Sequence, residues 1–165
     1  MGERDQLDGG WNCEAENGSV RSSFDTTINV LDGLLEFEHA TGGSAKVRAA
    51  RRSGAEYLLE RGLFRRKSTG AVVQPAYLEF AFPYYWHYDV LRALDYFRWS
   101  GADPDPRMAA AVAVVRSKRQ PDGRWLLDRI HPGRVHFDLE DGAGTPSRWN
   151  TLRALRVLTW WDRIA

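Results

Sequence analysis

Apolar residues recur every three or four positions in five stretches of this chain, separated by polar segments punctuated with glycine. That is the pattern of amphipathic helices joined by loops. The first stretch covers residues 24–39. Ile28, Leu31, Leu34 and Leu35 form one broad stripe, Ser22 and Ser23 stand where a helix cap belongs, and Thr41-Gly42-Gly43 ends it. The second covers 45–61, carries Val47, Tyr57, Leu58 and Leu59, and stops at Gly62. The third runs from 84 or 85 to 99 and stops at Ser100-Gly101. The fourth opens at Asp105-Pro106, a cap followed by proline at the first helical position, and ends before Gln120. The last covers 147–163. Strand patterning is confined to two short pieces in loops, Ala71-Val72-Val73 and Val135-His136-Phe137. The expectation is an all-α chain forming one domain over 1–165, with a turn and loop in 1–22 and helical repeats in 23–163.

The helices also repeat. Val30-Leu31-x-Gly33-Leu34, Val90-Leu91-Arg92-Ala93-Leu94 and Thr151-Leu152-Arg153-Ala154-Leu155 superimpose at spacings of 60 and 61 residues. One position earlier this register aligns Asn29, Asp89 and Asn150; three positions earlier it aligns Thr27, His87 and Arg148. A second repeat lies in the loops: QLDGGWNCE (6–14) and QPDGRWLLD (120–128) share Gln-x-Asp-Gly-x-Trp. Asp-Gly suits a tight reversal that needs positive φ. The Trp is expected to wedge between helix pairs, and the Gln to reach carbonyls at a helix end. Helix pairs that cannot bury their own apolar faces stack on neighbours, so the first copy reads as the closing turn of a helix pair that would precede this sequence.

Composition narrows the function classes. Twenty-three Lys and Arg nearly balance 22 Asp and Glu, which removes the clustered positive excess that phosphate backbones require, so no nucleic-acid partner is expected. The run Arg61, Arg65, Arg66, Lys67 reads as the cationic end of a helix. A single cysteine, Cys13, cannot form an internal disulfide, which points to a reducing, cytoplasmic setting. No apolar run approaches the roughly 20 residues of a membrane span, and no basic-then-apolar leader precedes Gln6. Aromatic residues make up 12% of the chain and cluster at Phe80, Phe82, Tyr84, Tyr85, Trp86 and Tyr88, and again at Trp149, Trp160 and Trp161. Such clusters supply flat, polarizable surface.

The two Gln-x-Asp-Gly-x-Trp turns precede helices opening on Ser-Phe-Asp-Thr-Thr and Ser-Arg-Trp-Asn-Thr. They resemble the QW-type repeats of squalene–hopene cyclases, and the repeats of protein prenyltransferase β subunits. More narrowly, the chain is similar to the C-terminal part of bacterial prenyltransferase/squalene-cyclase-repeat proteins. The resemblance covers nearly the whole sequence and is strongest in GSVRSSFDTTINVLDGLLEFE, FPYYWHYDVLRALDYF and PSRWNTLRALRVLTWW. It implies an α/α toroid with an apolar, aromatic-lined central cavity. Two helix pairs and one further inner helix make only part of such a ring, so completion by self-association or by a missing N-terminal half is implied as well.

The chemistry of those families transfers poorly. The Asp-x-Asp-Asp-Thr-Ala motif of the cyclases, laid over Ser22-Ser23-Phe24-Asp25-Thr26-Thr27, keeps only Asp25-Thr26, and the proton donor's place falls on Phe24. Asp25 is a candidate acid if desolvation raises its pKa, or a helix-dipole partner. The prenyltransferase zinc site needs an Asp two residues from a Cys, whereas Cys13 has Trp11 at that distance. His39, His87, His131 and His136 form no i, i+4 pair. No metal and no cofactor is expected. The remaining candidates are the polar positions of the helical repeat with their aromatic neighbours. Asp25, His87 and Asp89 are the candidate catalytic groups; Trp11, Asn29, Tyr85, Trp86, Arg148, Trp149 and Asn150 are the candidate ligand contacts. For Asn29 and Asn150 the competing role is a structural tie, and for His87 a packed ring. Asp138, Glu140 and Asp141 lack calcium-loop spacing and read as a solvated loop. Three functions stay open: a module binding an apolar, isoprenoid-like small molecule, a cyclase- or lyase-type enzyme, and a structural repeat completed by another chain.

Overall fold

The computed structural model describes residues 8–163, which form five α-helices and one two-stranded antiparallel sheet. The chain is mostly α, as its periodicity predicts. Packing divides it into two compact units, Met1–Arg61 and Gly62–Ala165.

The first unit is a helix hairpin, α1 (Phe24–Thr41) and α2 (Ala45–Leu59), preceded by a 3-10 turn, Cys13–Asn17. Ser23 and Ser44 cap the two helices, each side chain accepting the N–H three residues on. Gly42 and Gly43 turn the chain between them at positive φ. Ile28, Leu31 and Leu35 of α1 are buried with Tyr57 and Leu58 of α2. Phe24 meets Tyr57 edge to face at 5.5 Å, and the Tyr57 hydroxyl donates to the Ser22 carbonyl at 2.9 Å. The Trp11 ring abuts α2 where Gly54 removes a side chain: a Cβ at Gly54 would sit 2.3 Å from the Trp11 ring.

The second unit holds α3 (Val90–Trp99), α4 (Ala109–Ser117) and α5 (Arg148–Trp161), with β1 (Trp125–Leu126) paired to β2 (Pro146–Ser147). α3 packs on both α4 and α5. The sheet was not legible in the sequence. It places Trp125 opposite Ser147, the residue that caps α5. Of the two predicted extended pieces, Val72 forms an isolated bridge with Arg65, whereas residues 135–137 form no strand.

Two predicted helix starts move. The third helix begins at Val90 instead of residue 84 or 85, because Tyr85 is held at φ 47° and the Asp89 side chain caps the helix by accepting the Arg92 N–H. Proline 106 opens a 3-10 turn, Pro106–Met108, that leads into α4. The helical register also splits, since Asp89 is the cap of α3 while Asn150 lies inside α5 and Asn29 deeper still inside α1. No helix among the described residues is long and apolar enough to cross a membrane.

Candidate functional site

The two Trp-bearing turns are built alike. In the first, the Trp11 N–H donates to Thr27 Oγ1 at 3.1 Å, and the Trp11 carbonyl accepts the N–H of the cap residue Ser23 at 2.8 Å. In the second, the Trp125 N–H donates to Thr151 Oγ1 at 3.0 Å, and Trp125 pairs with the cap residue Ser147. Gly9 and Gly123 take the positive φ that both reversals need. Gln120 donates to the Lys118 carbonyl at the end of α4; its counterpart Gln6 lies outside the described residues. Trp11, a candidate ligand contact, is buried in the first unit's core. Trp125 is buried as well, and its indole N–H donates at 2.7 Å to the Val115 carbonyl in the last turn of α4. It thereby satisfies an acceptor with no partner farther along the helix.

The helix starts also decide what the polar candidates do. Asp25 stands half-buried in the first turn of α1, and its carbonyl accepts from the Asn29 side chain at 2.6 Å, a bond internal to the helix. Asp89 is 2% exposed. Its carboxylate accepts the Arg92 N–H at 2.7 Å and the Ala81 N–H. Burial pushes its pKa up, opposed by the Arg153 charge and by those hydrogen bonds. Asn150 is fully buried and donates to the carbonyls of Phe80 and Leu126, both at 3.2 Å. Asp89 and Asn150 are therefore ties that hold the aromatic segment 80–88.

Further bonds fix the same segment. The Phe80 N–H donates to Asp128 at 2.7 Å, and that carboxylate also pairs with Lys118 at 2.8 Å. The guanidinium of Arg92 lies 4.5 Å and that of Arg153 4.8 Å from the Tyr84 ring centre. Arg92 donates to the His87 carbonyl at 2.9 Å. Two buried arginines over one phenol ring, with Asp89 and Asp95 as counter-charges, give this loop a cation–π clamp.

The clamp sets one wall of a cavity of about 180 Å³. Phe82, Pro83 and Tyr85 form that wall. Leu127, Ile130 and His131 form the next, and Val135, Phe137 and Glu140 close the third. The His131 ring stacks on His87 at 3.6 Å, nearly parallel, and Trp86 stacks on His87 at 3.7 Å. Trp149 stacks on Phe82 at 4.9 Å, and Arg148 donates to the Leu139 carbonyl at 3.3 Å. Glu140 is not a free loop carboxylate: it accepts from Ser147 Oγ at 2.5 Å, at the N-terminus of α5, where a negative charge is favoured.

Among the predicted site residues, then, Tyr85 lines the cavity, while His87, Trp149 and Arg148 each touch a residue that does. Trp86 reaches it through His87. Trp11, Asp25 and Asn29 belong to the other unit. Sequence reasoning missed His131, Phe82 and the loop 127–140. The available signal was a non-periodic loop carrying Ile130, Val135 and Phe137, all of them exposed. Among the described residues no group of three His, Cys, Asp or Glu is placed to hold a metal ion. No protein-family model matches this chain, and no curated protein or solved structure matches it either.

Proposed function

We propose that this chain is a helical-repeat module of the terpenoid-cyclase and prenyltransferase-like kind, part of an α/α toroid, that binds a small apolar molecule. The observation that carries the reading is the aromatic- and aliphatic-walled cavity beside the Trp86–His87–His131 stack. Apolar walls with a few convergent polar groups are the usual composition of a small-molecule site. A dry apolar cavity of roughly 150 Å³ is large enough for one benzene ring, so about 180 Å³ suits a single ring or a short branched, isoprenoid-like chain. A polycyclising substrate is far larger.

The binding reading is favoured over an enzymatic one by the state of the acids. Asp89 is occupied as a cap, and Asp25, in the first turn of α1, is not among the residues that line the cavity. His87 has both ring faces covered, which suits a packed wall better than a mobile base.

Titration with 3-methyl-2-buten-1-ol or benzene, followed by the histidine and indole NMR signals, tests this reading. The expected result is a saturable shift of the His131 and Trp86 resonances, weakened about tenfold in Ile130→Asn through lost apolar contact. Ile130 is 55% exposed, so this variant keeps its fold. A wild type without a saturable shift, or equal binding in both proteins, rejects the proposal.

A further inference from the structure

α5 is amphipathic the wrong way round on part of its surface. Its buried face includes Asn150 and Arg153, while Leu152 and Leu155 are 39% and 43% exposed. The corresponding leucines of α3, Leu91 and Leu94, are fully buried. A helix that buries an arginine and shows water its leucines is stable only when other interactions compensate. On the buried side they are the Tyr84 ring and Asp95. On the exposed side, the described residues supply nothing that covers the leucines.

What they do supply is a rim of charge. Leu152, Leu155 and Trp160 floor a groove of about 340 Å³, with Arg156 from α5, Arg163 just beyond its C-terminal end and Arg98 from α3 around it. Arg98 pairs with Asp95 at 2.8 Å. No carboxylate of a described residue pairs with Arg156 or Arg163, and neighbouring Asp162 is taken by Arg116. The groove thus joins an apolar floor to guanidiniums with open donors, and guanidinium forks match carboxylate and phosphate oxygens.

The geometry points to a second binding site here, for a single-chain anionic amphiphile whose head is a carboxylate or phosphate and whose tail is aliphatic. The head bridges Arg156 and Arg163, and the tail lies over Leu152 and Leu155 against Trp160. The volume falls in the range of small-molecule sites, and a concave groove accommodates one chain better than it does a flat bilayer. This site shares no lining residue with the cavity of the second unit, so it stands or falls independently of the function proposed above.

Titration with dodecanoate below its micelle-forming concentration, followed by calorimetry and tryptophan fluorescence, provides the test. Saturable one-to-one binding is expected, with dodecyl phosphate binding comparably and both dodecanol and acetate at least tenfold weaker. The double variant Arg156→Gln/Arg163→Gln should lose about tenfold in affinity, as expected for removal of two exposed charge contacts; Leu155→Gln should lose a similar amount. Both alter exposed positions, and circular dichroism establishes that they fold. Unchanged binding in the double variant overturns the proposal, as does equal affinity for dodecanol or binding only to phosphatidylglycerol vesicles. A dimer in sedimentation whose formation is abolished by Leu155→Gln also overturns it, because a second copy would then own the face.

Discussion

The two Gln-x-Asp-Gly-x-Trp turns are one device in two settings. Both bond a Trp N–H to a threonine one turn inside the following helix, and both pair the Trp backbone with the serine cap. They differ in what separates Trp from threonine: 16 residues in the first turn and 26 in the second. The longer connection contains Ile130, His131, Val135, Phe137 and Glu140, which form two walls of the cavity. The geometry shared by the two turns is therefore scaffold, and the cavity is lined by the loop that the second copy adds. The two tryptophans are also anchored differently. Trp11 rests on the bare backbone of Gly54, whereas Trp125 closes the end of α4 with its indole N–H.

The largest expected effect follows from that difference. Trp125→Ala should destabilise the protein by about 5 kcal/mol and Trp11→Ala by about 3 kcal/mol, within the range for large-to-small core changes; only the former also orphans a carbonyl. Urea denaturation of the two variants measures both. Equal losses would mean that the indole bond contributes nothing net.

The threonines give a smaller contrast. Thr27→Val and Thr151→Val keep shape and remove the acceptor for the Trp N–H, so a cost of about 2 kcal/mol is expected at buried Thr27 and about 1 kcal/mol at half-buried Thr151. If Thr151→Val is silent while Thr27→Val is not, the two turns are alike in geometry only.

A pair of pH-dependent effects probes the two units one at a time. Burial raises the Tyr57 phenol to about 12, the nearby Arg61 charge pulling the other way. A folded pKa above the unfolded value of 10.0 means that Tyr57's contribution is fully present below about pH 10 and fades as the pH rises to about 12. The stability difference between wild type and Tyr57→Phe should therefore fall across that alkaline window. Asp89 obeys the same sign at the acid end. Its folded pKa is raised above 3.8 by burial, so its contribution is fully present below that value and is lost as pH rises through the folded pKa. The difference between wild type and Asp89→Asn should decline over that range. A flat difference in either window removes the assigned burial effect.

Much of the fold was legible. Ser23 before a Phe24-to-Leu35 stripe, or Ser147 before the last helix, are local signals, and caps and periodicity act within a turn or two. The Trp turns were legible for the same reason, since Asp-Gly specifies its own reversal. The site was legible only in part. The aromatic segment pointed to Tyr85, which lines the cavity, and the repeat register aligned Asp89 and Asn150, which are buried and tied by hydrogen bonds to the segment 80–88. That register matched leucine spacing, yet Leu31 and Leu91 are buried and Leu152 is exposed, so equal spacing did not mean equal surroundings.

By itself the sequence determined five helices, the serine caps of the first and last, and the two reversals, because each depends on residues a few positions apart. The tertiary structure alone decided which polar groups are scaffold and where the cavity lies. Asn150 reaches the Phe80 carbonyl 70 residues away, and Asp128 reaches the Phe80 N–H 48 residues away. A buried polar group must find its partner wherever the chain brings one, and no local pattern encodes that partner's place.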